Sequence, residues 1–215
     1  MTEGTVSEGG DELSEQVFTP SESNGVTALV FGGAEELEPA DLALSERFAA
    51  WGALTVAIPL AREGEALSDR DATAMATAAL TDVLGREGVD PERVVLAGLG
   101  RGGTLAVLCA CRVDGAAAVL DLGGPLVYPT LDEARSVQPL EMLLNLSAPL
   151  FMAFGTEVSA EDRGWVEQAL SQFARTYNVE PLSTEGSALF TTDEAATETT
   201  WEAAKTFLQL HLETP

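Results

Sequence analysis

The chain has 215 residues, 46 % of them apolar, and sets 35 acids against 11 bases for a formal net charge of -24. That length suits one domain with a buried core, and the apolar share excludes a disordered chain. The acidity excludes nucleic-acid binding, because a phosphate backbone would repel this surface.

Lys205 is the only lysine, the other bases being arginine. A surface so acidic stays soluble and resists non-specific association at high salt, so a halophile-like character is expected. Apolar runs such as VTALVF and PLFMAF reach only six residues, whereas a membrane span needs about 20. The first residues show neither the basic nor the apolar region of a secretory signal. Cys109 and Cys111 are two apart in one predicted helix and point to different faces, so no disulfide is expected. These features together imply a reducing cytoplasm.

Residues 1–16 carry Glu3, Glu8, Asp11, Glu12 and Glu15 among Gly and Ser with no base, which predicts an acidic disordered tail before a domain at 17–215. From there apolar, β-branched runs recur at Val26–Phe31, Leu54–Pro59, Arg93–Gly98, Ala117–Leu122, Pro149–Phe154 and Val179–Ser183. Amphipathic stretches separate them. Pro39 opens a helix with Leu44, Phe48 and Trp51 on one face, and Gly52 ends it. A second buried stripe runs through Met75, Ala79, Leu80, Val83 and Leu84 to Gly85 or Gly88. Ser159 and Asp162 read as a cap before a helix to about Arg175, and the last helix spans roughly Asp193–His211. Strands apolar on both faces, alternating with helices, predict an α/β fold: one doubly wound, mostly parallel sheet of about six strands with helices on both faces.

The segment Asp90–Ala106, DPERVVLAGLGRGGTLA, takes a strand through a glycine-dense turn into a helix. Gly98, Gly100 and Gly103 satisfy the dinucleotide pattern G-x-G-x-x-G, and Asp121 follows where an acid would hold a ribose hydroxyl. The same turn also fits the nucleophile elbow G-x-Nu-x-G, with Gly98 and Gly102 as flanking glycines and Gly100 at the nucleophile position.

Asp90, Pro91, Arg93, Gly98, Gly102 and Gly103 match a D-P-x-R-x-x-x-x-G-x-C-x-G-G stretch, APLFMAFG ends at Gly155, and Trp201, Phe207, Leu208, His211 and Leu212 form a closing pattern. In this order and spacing the chain resembles the dienelactone hydrolase family of α/β-hydrolases. The resemblance implies that fold, an oxyanion loop at Gly32–Ala34 and a catalytic triad. At the three triad positions it places Gly100, Val158 and Ser187, so the triad is expected to be degenerate and no residue is assigned a catalytic role. Histidine inventory supports this: a triad needs an imidazole, and His211, close to the end of the last helix, is the single histidine.

Backbone N–H groups at Gly32, Gly33, Ala34, Arg101 and Gly102, with the charge of Arg101, suggest a pocket for a small anionic ligand; the alternative is that Arg101 pairs with a neighbouring acid such as Glu35 or Glu36 and the turn binds nothing. Cys109 and Cys111 read as core residues, and Glu157, Glu161 and Glu185 as acids close by chance. No metal and no cofactor are expected. The leading expectation is a pseudo-hydrolase that binds a ligand or a protein partner. An unorthodox ester or lactone hydrolase and a dinucleotide-binding protein are the alternatives, with the oligomeric state left open.

Overall fold

The computed structural model describes residues 2–8, 11–61, 67–172 and 176–212. Eight strands form one sheet: β1 (Thr2–Glu8), β2 (Asp11–Phe18), β3 (Thr27–Gly32), β4 (Leu54–Pro59), β5 (Val94–Leu99), β6 (Ala118–Leu122), β7 (Leu150–Phe154) and β8 (Tyr177–Pro181). Their spatial order is β1-β2-β4-β3-β5-β6-β7-β8. β2 pairs antiparallel with both β1 and β4, and every other pair is parallel. The six runs read from the sequence are β3 to β8.

Residues 11–18 correct the expected tail. They form a strand between β1 and β4, with Gln16 opposite Ala57 and Phe18 opposite Thr55. Acids are as many as apolar residues here, but strand pairing is carried by main-chain hydrogen bonds that composition does not report. The buried Glu15 carboxylate is also compensated, since Arg86 Nη2 lies 2.5 Å from Glu15 Oε2.

The helices are α1 (Pro39–Trp51), α2 (Asp69–Leu84), α3 (Arg101–Ala110), a single turn α4 (Pro139–Met142), α5 (Ala160–Gln172) and α6 (Glu194–Leu212). Each end follows from local chemistry. Gly52 takes a left-handed φ of 104° after α1. The Ser68 hydroxyl accepts the N–H of Asp71, and Ser159 accepts that of Asp162. Arg175, the expected end of α5, lies outside the described residues.

Alternation along the strands divides the core in two. Leu29, Phe31, Val56 and Ile58 face α2 and α3, where Leu80, Val83, Leu105 and Leu108 cover them. Ala28, Val30, Ala97 and Phe151 face α1 and α6, with Phe48 edge-on to Trp201 at 5.1 Å between ring centroids. No helix among the described residues is long and apolar enough to cross a membrane.

Candidate functional site

The glycine turn joins β5 to α3 at the carboxyl edge of the sheet. Gly100, at its tip, has φ 49° and ψ -121°, a conformation that side-chain-bearing residues adopt only under strain. Its N–H donates to the Leu122 carbonyl at 3.0 Å, and its carbonyl accepts the N–H of Thr104 at 3.2 Å. A Cβ at Gly100 would meet no atom within 4 Å, so the tip opens onto free space. The flanks differ. A Cβ at Gly98 would run into the backbone of Gly102, and one at Gly102 into the Phe31 carbonyl. This is the strand–turn–helix geometry of a nucleophile elbow.

The loop after β3 folds over this turn. A Cβ at Gly33 would stand 2.8 Å from Arg101 Cβ. Between loop and turn lies a cavity of about 400 Å³, lined by Gly33, Ala34, Asp41, Gly100, Arg101 and Leu189 among others. Three of the five pocket candidates, Gly33, Ala34 and Arg101, therefore line it. Behind them a Cβ at Gly32 would stand 3.0 Å from Asp41 Oδ2, and Gly102 is packed on β3.

Arg101 departs from expectation. Its guanidinium turns to the start of α2, with Nη1 3.0 Å from Asp69 Oδ1 and Nη2 donating to the Leu67 carbonyl at 3.0 Å. Asp69 also accepts the Tyr128 hydroxyl at 2.7 Å. The expected pairing with Glu35 or Glu36 is replaced by this one because Asp69 is itself buried and requires a counter-charge.

The functional group that sequence reasoning passes over is Asp41. It occupies the third position of α1, is only 4 % exposed, and lines the cavity. Its Oδ2 accepts the N–H of Glu38 at 3.0 Å while the Glu38 carboxylate accepts the N–H of Asp41. Burial, with the nearby Glu38 charge adding to it, pushes the Asp41 carboxyl up to about 6. In the sequence it is an ordinary first-turn acid; the one signal is the Glu38–Pro–Ala–Asp41 capping spacing.

Val158 is half-buried beside Glu157, whose two oxygens each lie 3.1 Å from the Gly186 N–H. The loop after β7 is thereby tied to the loop before α6, and Gly186 reaches the cavity wall. Ser187 follows Gly186 in a single helical turn, and its side chain lies outside the described set. Glu161 and Glu185 are exposed. His211 stacks edge-on to Phe207 at 4.4 Å, seventeen residues after Glu194 in α6. At 1.5 Å per residue that is about 25 Å along the helix, at the opposite end from the cavity.

Asp121 does not face a ligand. It is fully buried beneath the turn, where Oδ1 accepts the Gly124 N–H at 2.8 Å and Oδ2 has no partner. Burial pushes its carboxyl up to about 8. An acid so placed cannot hold a ribose, which removes the second element of the dinucleotide pattern. Cys109 and Cys111 are buried and form no disulfide, and burial pushes the Cys109 thiol up to about 11. Among the described residues, no group of three or more His, Cys, Asp or Glu is placed to hold a metal ion.

The fold recurs in solved hydrolases. A dienelactone hydrolase-type structure from Klebsiella pneumoniae subsp. pneumoniae, itself described as putative, superposes with a TM-score of 0.81 at 17 % identity, over 96 % of this chain and 97 % of that one. A dienelactone hydrolase-like promiscuous phosphotriesterase from metagenomic libraries gives 0.78 at 16 % identity, over 98 % and 97 %. A thermostable esterase from Pseudomonas putida gives 0.80 at 18 % identity, over 100 % of this chain and 83 % of the esterase. No curated protein sequence matches the chain. At these identities the superpositions establish the α/β-hydrolase fold, with β2 the one strand running against the rest. The family model for dienelactone hydrolases matches residues 57–212, and the chain belongs to the dienelactone hydrolase family.

Proposed function

We propose that this chain is a non-catalytic member of its family that uses the cavity at the elbow to bind a small molecule. The observation that carries the reading is Gly100: the turn has the shape that presents a nucleophile, and its tip bears no side chain. Nucleophilic hydrolysis needs a hydroxyl or thiol at that tip and an imidazole beside it. Val158 and Ser187 stand at the other two triad positions in this reading, and the single histidine is at the far end of α6. What remains is a cavity of about 400 Å³ lined by Gly33, Ala34, Gly100 and Arg101 among others, a size that suits a small ligand. The cytoplasm is the compartment that fits two buried cysteines that form no disulfide.

The test is hydrolysis of p-nitrophenyl acetate and a simple lactone, in molar KCl and in dilute buffer. The expected result is no saturable turnover by the folded protein. A Gly100→Ser, Ser187→His variant provides the comparison. Saturable activity that copurifies with the native chain would overturn the reading.

A second reading has one observation in its favour. Asp41 shares the cavity with Gly100, and a carboxyl held near 6 is ionised at neutral pH and basic enough to take a proton from water. Turnover in the native chain that Asp41→Asn abolishes would establish hydrolysis by a water molecule in place of the nucleophile.

A further inference from the structure

Basic side chains are scarce in this chain, and nearly all those described are engaged. Arg47, Arg86 and Arg101 pair with carboxylates, Arg93 donates to the Asn24 carbonyl, and Arg135 and Arg163 lie over the rings of Tyr128 and Phe154. Arg70 and Arg112 are the exceptions. Neither guanidinium meets a carboxylate, a carbonyl or a ring among the described residues, in a chain that carries 35 acids.

These two arginines line the same cavity. Arg70 stands in the first turn of α2 and Arg112 just beyond α3, and the space they line has a volume of about 190 Å³. Ser136 contributes a hydroxyl to the lining, and Leu108, Val137 and Met142 make the rest of it largely apolar. The acid in the lining, Asp69, does not cancel either charge. Its Oδ1 is 3.0 Å from Arg101 Nη1, and its Oδ2 accepts the Tyr128 hydroxyl. That ion pair also separates this cavity from the one at the elbow, which Arg101 lines from the other side. Two like charges beside one partly apolar space repel each other and favour an anion between them.

We propose that this cavity binds the phosphate group of a small phosphomonoester. A phosphate at neutral pH carries a charge close to -2 and three acceptor oxygens. It therefore answers two guanidiniums through charge-assisted hydrogen bonds and leaves an oxygen for the Ser136 hydroxyl. A carboxylate would match one guanidinium and leave the other without a counter-charge. Leu108, Val137 and Met142 offer apolar surface to the carbon chain of the ester. The volume falls below the roughly 300–1,000 Å³ of pockets for drug-sized ligands, which restricts that chain to a few carbons and excludes a nucleotide.

The experiment is isothermal titration of the full chain, in phosphate-free buffer, with propyl phosphate, inorganic phosphate and butyrate. Propyl phosphate is expected to bind saturably at a single site, inorganic phosphate more weakly, and butyrate at least about tenfold more weakly than the ester. Affinity for the ester should rise between about pH 5.5 and 7.5, as the phosphate loses its second proton. Arg70 and Arg112 are exposed, so Arg70→Gln and Arg112→Gln should leave the melting temperature unchanged, and each is expected to lower affinity at least about tenfold. Arg47→Gln makes the same change of charge on α1, across the sheet, and should leave affinity unaltered. No saturable binding of propyl phosphate, butyrate or inorganic phosphate binding as tightly as the ester, affinity unaltered in either cavity variant, or an equal loss in Arg47→Gln would each overturn the proposal. Hydrolysis assays do not probe this cavity, so the two readings fail separately.

Discussion

Both oxygens of Glu157 lie 3.1 Å from the backbone N–H of Gly186, so one side chain fastens the loop after β7 to the loop that opens α6. Gly186 in turn walls the cavity at Gly100. Glu157→Ala should therefore loosen the 184–191 loop more than the sheet. The expected loss of global stability is about 0.5–1.5 kcal/mol, typical of one hydrogen bond. Hydrogen exchange should rise at Gly186–Leu189 and stay unchanged in β5 and β6. Uniform loss of protection would argue against a local tether.

The elbow glycines should separate by mutation. Gly98→Ala and Gly102→Ala drive a methyl into backbone that cannot move aside, and each is expected to cost upwards of about 3 kcal/mol or prevent folding. Gly100→Ala has open space and is expected to cost only about 1–2 kcal/mol, from its left-handed φ of 49°. Urea denaturation of the three variants gives the order directly.

Stability should fall as pH rises through the window set by Asp121. Its carboxyl is raised from 3.8 to about 8 by burial, so the folded chain holds a proton that the unfolded chain releases. Between these values the folded state binds more protons, and stability decreases with increasing pH. Asp121→Asn removes that contribution. The difference in melting temperature, variant minus wild type, is expected to grow from about pH 4 to pH 8 and then level off. A difference independent of pH would show that Asp121 is not the proton-binding group.

The Arg86–Glu15 pair should hold the edge hairpin to α2. The Glu15 side chain is 7 % exposed, and Arg86→Ala leaves that carboxylate buried without a counter-charge. The expected cost is about 2–4 kcal/mol, and Glu15→Gln together with Arg86→Ala should recover part of it. Chemical denaturation of the single and double variants measures the recovery.

The parts legible in the sequence are those governed by short-range periodicity. β3 to β7 are runs whose residues are mostly apolar on both faces, and α1 and α2 carry a stripe, a cap and a terminating glycine. The elbow was legible because steric demand writes glycine at fixed spacings, Gly98 and Gly102 about a tip at Gly100. What escaped depends on distant partners. β2 carries three acids and is held as a strand by pairing with β1 and β4. The partner of Arg101 is Asp69, thirty-two residues earlier, and no local pattern links them. Asp41 escaped for a different reason: a first-turn acid is an ordinary helix signal, and only the tertiary structure shows that the cavity lies against it.

The conformation of Gly100 has a consequence for the energy of the whole turn. A serine or cysteine held at φ 49° and ψ -121° strains the backbone by on the order of 1–3 kcal/mol, which the surrounding fold must offset. Glycine occupies the same angles almost without penalty. The bend therefore survives here as a relaxed shape, and no conflict remains between keeping it and keeping the domain stable.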